Sequence, residues 1–241
     1  MIFFCRIKLF LIITCSSLIA GAQTVLLEEY PAKDTIPKIY GKNLNHFSHF
    51  YAGFGFAADN TKIDSVKINY GLSANYFIGI RYKRKISNYY AIGYDASLSV
   101  TNFNIRQNSN KNFLDTLQYT KEKYHYTSLS LELYNRVNFG KRGNAIGKYI
   151  DAGIYGEWVF SNYHYTKTPY PENTTTNHGK YIETKTRKNN FTEPFIYGIK
   201  LRLGVNRWTI FTNYRLSNMF VSSHKVAELP RLFTGIQIGF F

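Results

Sequence analysis

RLFTGIQIGFF, residues 231–241, reads with a period of two. Leu232, Thr234, Ile236, Ile238 and Phe240 fall on one side of an extended chain; Arg231, Phe233, Gly235, Gln237 and Gly239 fall on the other. The first side is apolar. The second is small or polar apart from Phe233. Phe240 keeps the apolar phase, and Phe241 overhangs it by one residue.

Seven segments upstream carry the same pattern, over residues 49–57, 71–83, 89–103, 123–139, 149–162, 194–205 and 207–216. In the second, Leu72, Tyr76, Ile78, Ile80 and Tyr82 oppose Ser73, Asn75, Gly79 and Arg81. In the fourth, Leu129, Leu131, Leu133, Val137 and Phe139 oppose Ser128, Ser130, Glu132, Tyr134 and Arg136. Half-buried strands alternate in this way. The connections alternate as well. Loops of about 12, 20, 30 and 14 residues are separated by short turns at 84–88, 140–148 and Asn206. Long loops on one rim and short turns on the other predict an eight-stranded antiparallel up-and-down transmembrane β-barrel, all-β, over residues 47–241. A soluble sandwich has no reason to alternate its loops so regularly.

The first residues fit export. Arg6 and Lys8 precede an apolar run, Leu9 to Ile13, and Ala20-Gly21-Ala22 forms an A-x-A cleavage signal before Gln23. Residues 1–22 are expected to be a signal peptide and 23–46 a periplasmic linker, placing the barrel in the outer membrane of a Gram-negative cell. Both cysteines, Cys5 and Cys15, lie in the signal segment, so the mature chain is expected to hold no disulfide and no thiolate nucleophile. Tyrosine and phenylalanine number 21 and 19, which suits the aromatic girdles of a membrane barrel. The formal charge of +15 falls to +13 once Arg6 and Lys8 are removed. An exported barrel does not meet nucleic acid as its usual partner. The expected counterparts are outer-membrane lipids, lipopolysaccharide included, together with the machinery that inserts barrels.

If the apolar faces meet lipid, the opposite faces converge on a lumen. An eight-stranded barrel is just wide enough for side chains to fill. The lumen set contains Asp95, Glu132, Asp151 and Glu157 beside Arg81, Arg136, Lys200, Arg202 and Arg215. Both signs in a narrow interior predict a plug of ion pairs, because an unpaired buried charge is costly.

The segments YFIGIRYKRKISNYYAIGYD, LELYNRVNFGKRGN and YRLSNMF…ELPRLFTGIQIGFF resemble small outer-membrane β-barrel proteins of Bacteroidota, the PorT-like group, with a barrel size similar to the OmpX barrels. The resemblance covers residues 47–241. It implies a non-enzymatic structural or surface-interaction protein, or an accessory to protein export. A narrow ion-conducting channel and a lipid A-modifying enzyme remain as alternatives.

Chemistry-bearing residues are sparse. His46 and Ser48 share a strand face, as histidine and serine do in outer-membrane lipid A deacylases, but they sit at the periplasmic start of the first strand. His125 and Ser128 are three apart and so point to opposite faces. No cofactor or metal site is expected. Asp34-Thr35-Ile36, Asp64-Ser65-Val66 and Asp115-Thr116-Leu117 resemble the O-glycosylation motif of exported Bacteroidota proteins, making Thr35, Ser65 and Thr116 candidate glycan sites. The long polar loop at 163–192 is the expected place for a surface glycan or protein ligand.

Overall fold

The structure, a computed structural model, describes residues 39–58, 66–108, 111, 113–140, 143–170, 180–187, 190–222 and 226–241. The expected signal segment and most of the expected linker, with Thr35 in it, lie outside the described residues, as does Ser65.

The chain forms strands β1 (His46–Ala57), β2 (Ala74–Lys85), β3 (Tyr90–Ile105), β4 (Lys121–Phe139), β5 (Lys148–Pro169), β6 (Tyr181–Arg187), β7 (Phe195–Val205), β8 (Trp208–Arg215) and β9 (Leu232–Phe240). Each of β1–β5 pairs with the next, antiparallel. Then β5 pairs with β7, β7 with β8, β8 with β9, and β9 with β1. Eight strands therefore close a ring, and a closed ring has no unpaired edge. β6 stands outside that ring.

Alternation sets the two walls. On β4 the burial runs strictly exposed and buried from Ser128 to Phe139; on β7 it does so over all eleven residues. The outward side chains are large and apolar, among them Ile78, Leu131, Ile154, Leu203 and Trp208. Most inward ones are polar, charged or aromatic. Inward glycines make room for inward rings: a Cβ on Gly53 would meet the Phe77 ring at 2.5 Å. At the short-turn rim, Asn206 adopts φ 52° between β7 and β8, a left-handed conformation that asparagine tolerates, and its side-chain oxygen accepts from the Gly147 amide at 3.1 Å.

One expectation needs correction. Within the segment 163–192, residues 163–169 and 181–187 are strand and not irregular loop. β5 runs on to Pro169, far past the expected end at Asn162, and β6 pairs back onto it from Tyr163↔Arg187 to Pro169↔Tyr181. The extended part of β5 also stays paired with β4, from Thr127↔Ser161 to Lys121↔Lys167. A three-stranded blade thus rises from the long-loop rim. β6 escaped the sequence reading because every one of its residues is exposed, so no apolar face marks it.

Candidate functional site: the filled lumen

The registers build the lumen. Arg81, Asp95 and Glu132 are direct cross-strand partners on β2, β3 and β4. Arg136, Asp151 and Arg202 are direct partners on β4, β5 and β7. All six point inward and are buried.

Arg81 donates to Asp95 Oδ2 from Nε at 3.1 Å and from Nη2 at 2.9 Å, and the Tyr51 hydroxyl donates to Asp95 Oδ1 at 2.8 Å. Arg136 and Asp151 form a two-pronged pair at 2.7 and 2.8 Å, the geometry in which a guanidinium fits a carboxylate best. Arg202 crosses the lumen from β7. It binds both oxygens of Glu132, contacts Asp95 Oδ2 at 3.1 Å and lies 3.8 Å from Asp151. Lys200 adds a contact to Glu132 at 3.1 Å. Seven of the nine charged residues expected in the lumen therefore form one connected network. The Gln237 amide closes it beside Arg81: with its carbonyl oxygen as acceptor, the separations are 2.8 and 2.9 Å.

The other two are corrections. Arg215 lies at the upper end of β8, where the loop after it folds back. There it pairs with Glu228 at 2.8 Å and donates to the Leu229 carbonyl at 2.8 Å. Glu157 is held by the Ser128 hydroxyl at 3.0 Å rather than by a cation. It sits opposite Ser130 in the ladder, above the row that contains Glu132.

Both ends of the lumen are packed. At the long-loop end, Phe103, Tyr124, Tyr126 and Phe233 from the strands meet Val66, Phe113, Met219, Phe220 and Leu229 from the loops in one apolar cluster. Beside it, Glu122 accepts from Lys111 Nζ at 2.6 Å, from His164 Nε2 at 2.8 Å and from Gln107 Nε2 at 2.9 Å. Lys111 also reaches Asp115 at 3.2 Å, and the Tyr119 hydroxyl donates to Asp115 Oδ2 at 2.6 Å. Burial, then the Asp115 bond and charge, push the Tyr119 phenol up to about 12. Thr116 is exposed next to this anchored aspartate. At the short-turn end, Phe47, Ile146 and Tyr149 form a second cluster with Phe241 against it. The terminal overhang is thereby explained: Phe240 faces outward, while Phe241 turns under the barrel and meets Phe47 edge-on at 5.5 Å.

The reactive pairs are not assembled. His46 Nδ1 lies 2.5 Å from the Tyr82 hydroxyl on the outer wall, and Ser48 is exposed beside it. His125 faces outward against Asn102 at 2.5 Å, while Ser128 faces inward toward Glu157. Sequence reasoning missed Lys111 and Glu228 because they sit in long loops, where no alternation signals direction, and Glu122 because β4 starts two residues before the expected start at residue 123. The one available signal was the isolated apolar pairs Phe113-Leu114 and Met219-Phe220 inside otherwise polar loops.

Comparison with protein-family models and with curated proteins finds no match for this chain.

Proposed function

We propose that this chain is a non-enzymatic outer-membrane β-barrel that acts through its outer wall and its looped rim, with a lumen that carries no traffic. The observation behind this reading is the pairing of a large-apolar outer wall with an interior filled by salt bridges and packed at both ends. An apolar outer wall on a ring without edges suits lipid, since every backbone group is satisfied within the ring. A buried ionic interior suits a plug, because paired charges occupy the lumen and separating them there would be costly. In this orientation the short turns face the periplasm, and the blade and long loops face outward. That rim would carry any surface glycan or protein ligand, and the wall would contact membrane lipid.

The test is conductance. Purified, refolded protein inserted in planar bilayers is expected to stay silent across the voltage range. Steady, reproducible single-channel steps would contradict the reading and favour a narrow channel.

A further inference from the structure

The outer face of the blade carries a grid of side chains set by register. Direct cross-strand partners share a face, so three rows follow from the ladder. They are Lys121–Lys167–Glu183, Lys123–Tyr165–Lys185 and His125–Tyr163–Arg187. Five cations stand on these nine positions against one carboxylate, Glu183, which pairs with Lys167 at 3.0 Å. Like charges face each other directly at Lys121 and Lys167, an arrangement that costs stability when nothing lies between them. Burial, then the neighbouring Lys121 charge, also lowers the Lys123 ammonium below the ordinary lysine range. The tyrosines are not spectators. Lys185 Nζ lies 3.8 Å from the centre of the Tyr163 ring, and His125 stacks on the same ring at 4.3 Å.

The same face continues down the strands into the apolar wall, through Thr127 and Ser161 and past a bulge at Phe160 to Leu129 and Trp158. From Leu129 to Phe139, β4 takes ten steps; at about 3.3 Å each and a tilt of about 40°, that is a height of ~25 Å, the thickness of an outer-membrane apolar band. Lys123 lies six steps beyond Leu129, ~15 Å above that band on the same arithmetic. His125 and Tyr163 lie lower, ~10 Å above it. The grid therefore stands at the height of headgroups, over the acyl region, on a wall already turned toward lipid.

We propose that this grid is a binding site for a phosphorylated glycolipid of the outer leaflet, seated against the blade with its acyl chains on Leu129, Trp158 and Phe160. Phosphate answers the excess of cations, and tyrosine faces suit the sugar ring that carries the phosphate. The inference rests on the membrane reading above.

The experiment uses the full mature chain in phosphatidylcholine nanodiscs, with and without bis-phosphorylated lipid A, and counts retained lipid A by native mass spectrometry. Wild type is expected to retain it, and to retain dephosphorylated lipid A far less. The triple variant K123Q/K185Q/R187Q should lose affinity by about a hundredfold, the order expected for three cations near a membrane surface. K67Q/R84Q/K148Q removes three exposed cations elsewhere and should bind as wild type does. Equal retention by the grid variant, equal loss in both triple variants, or indifference to the phosphates would each overturn the site. Failure of the wild type to enter nanodiscs as a heat-modifiable species would instead overturn the membrane reading, and the two failures are distinguishable.

Discussion

Asp95 and Glu132 are direct cross-strand partners, two buried carboxylates side by side on β3 and β4. Such a pair repels unless a cation lies across it. Arg202 supplies that cation from β7, which β5 separates from β4 in the ring, and touches both. The interior is thus held by a tie across the lumen, in addition to the ladder around it. Removing the tie leaves Asp95 to Arg81 and Glu132 to Lys200, with no cation shared between the two carboxylates. Arg202→Met is expected to destabilise the barrel by about 3–5 kcal/mol, the usual range when one member of a buried ionic set is deleted. Urea unfolding, followed by loss of the fast-migrating unboiled band, measures it. An unchanged midpoint would show that the network does not hold the barrel.

Gly153 lies where the network meets the wall. A Cβ there would sit 2.7 Å from Glu132 Oε1 and 2.7 Å from the Leu133 carbonyl oxygen. Neither can retreat, since Glu132 is held by Arg202 and Lys200 and the carbonyl belongs to the ladder. Gly153→Val should therefore sharply reduce the yield of folded barrel. Gly156→Val, where nothing lies within 4 Å, should fold as wild type does. Refolding yields of the two, read on unboiled gels, make the comparison.

Phe220 is buried in the apolar cap and meets Phe113, Tyr124 and Phe191. Phe220→Ala should cost about 3–5 kcal/mol of cap packing, but the ring of strands below it does not depend on those contacts. The expected result is new protease cleavage within the loops at 106–120 and 216–231, with the strands still protected. Cleavage that spreads into the strands would mean that cap and ring form one cooperative unit.

The blade hairpin makes the opposite prediction. β6 pairs only with β5 and is exposed throughout. Deleting residues 168–188 removes it and the last two residues of β5 while leaving every pairing of the ring in place. Heat-modifiability should survive, and lipid A retention should fall. Loss of folding would make the hairpin structural.

Residues with two-fold alternation were legible because the apolar outer wall and the polar lumen differ so strongly that each side chain had to choose. Alternation alone puts Arg81, Asp95 and Glu132 inside. Their partners were less legible: Arg202 meets Asp95 across the lumen, and that depends on strand tilt and register, which alternation does not encode. Arg215 and Glu157 show the consequence: both point inward, yet Arg215 pairs with Glu228 from a loop and Glu157 with the Ser128 hydroxyl. β6 carried no signal because Tyr181–Arg187 has no buried face. The caps were hidden because their apolar residues, such as Phe113 and Met219, come singly or in pairs within polar loops.

The central claim is a closed membrane barrel with a filled interior, and a comparison of boiled and unboiled protein from outer-membrane fractions tests it most directly. The account predicts recovery in that fraction, with the unboiled form migrating faster and collapsing to the slower position on boiling. A soluble protein, or one whose mobility does not change on boiling, would contradict it.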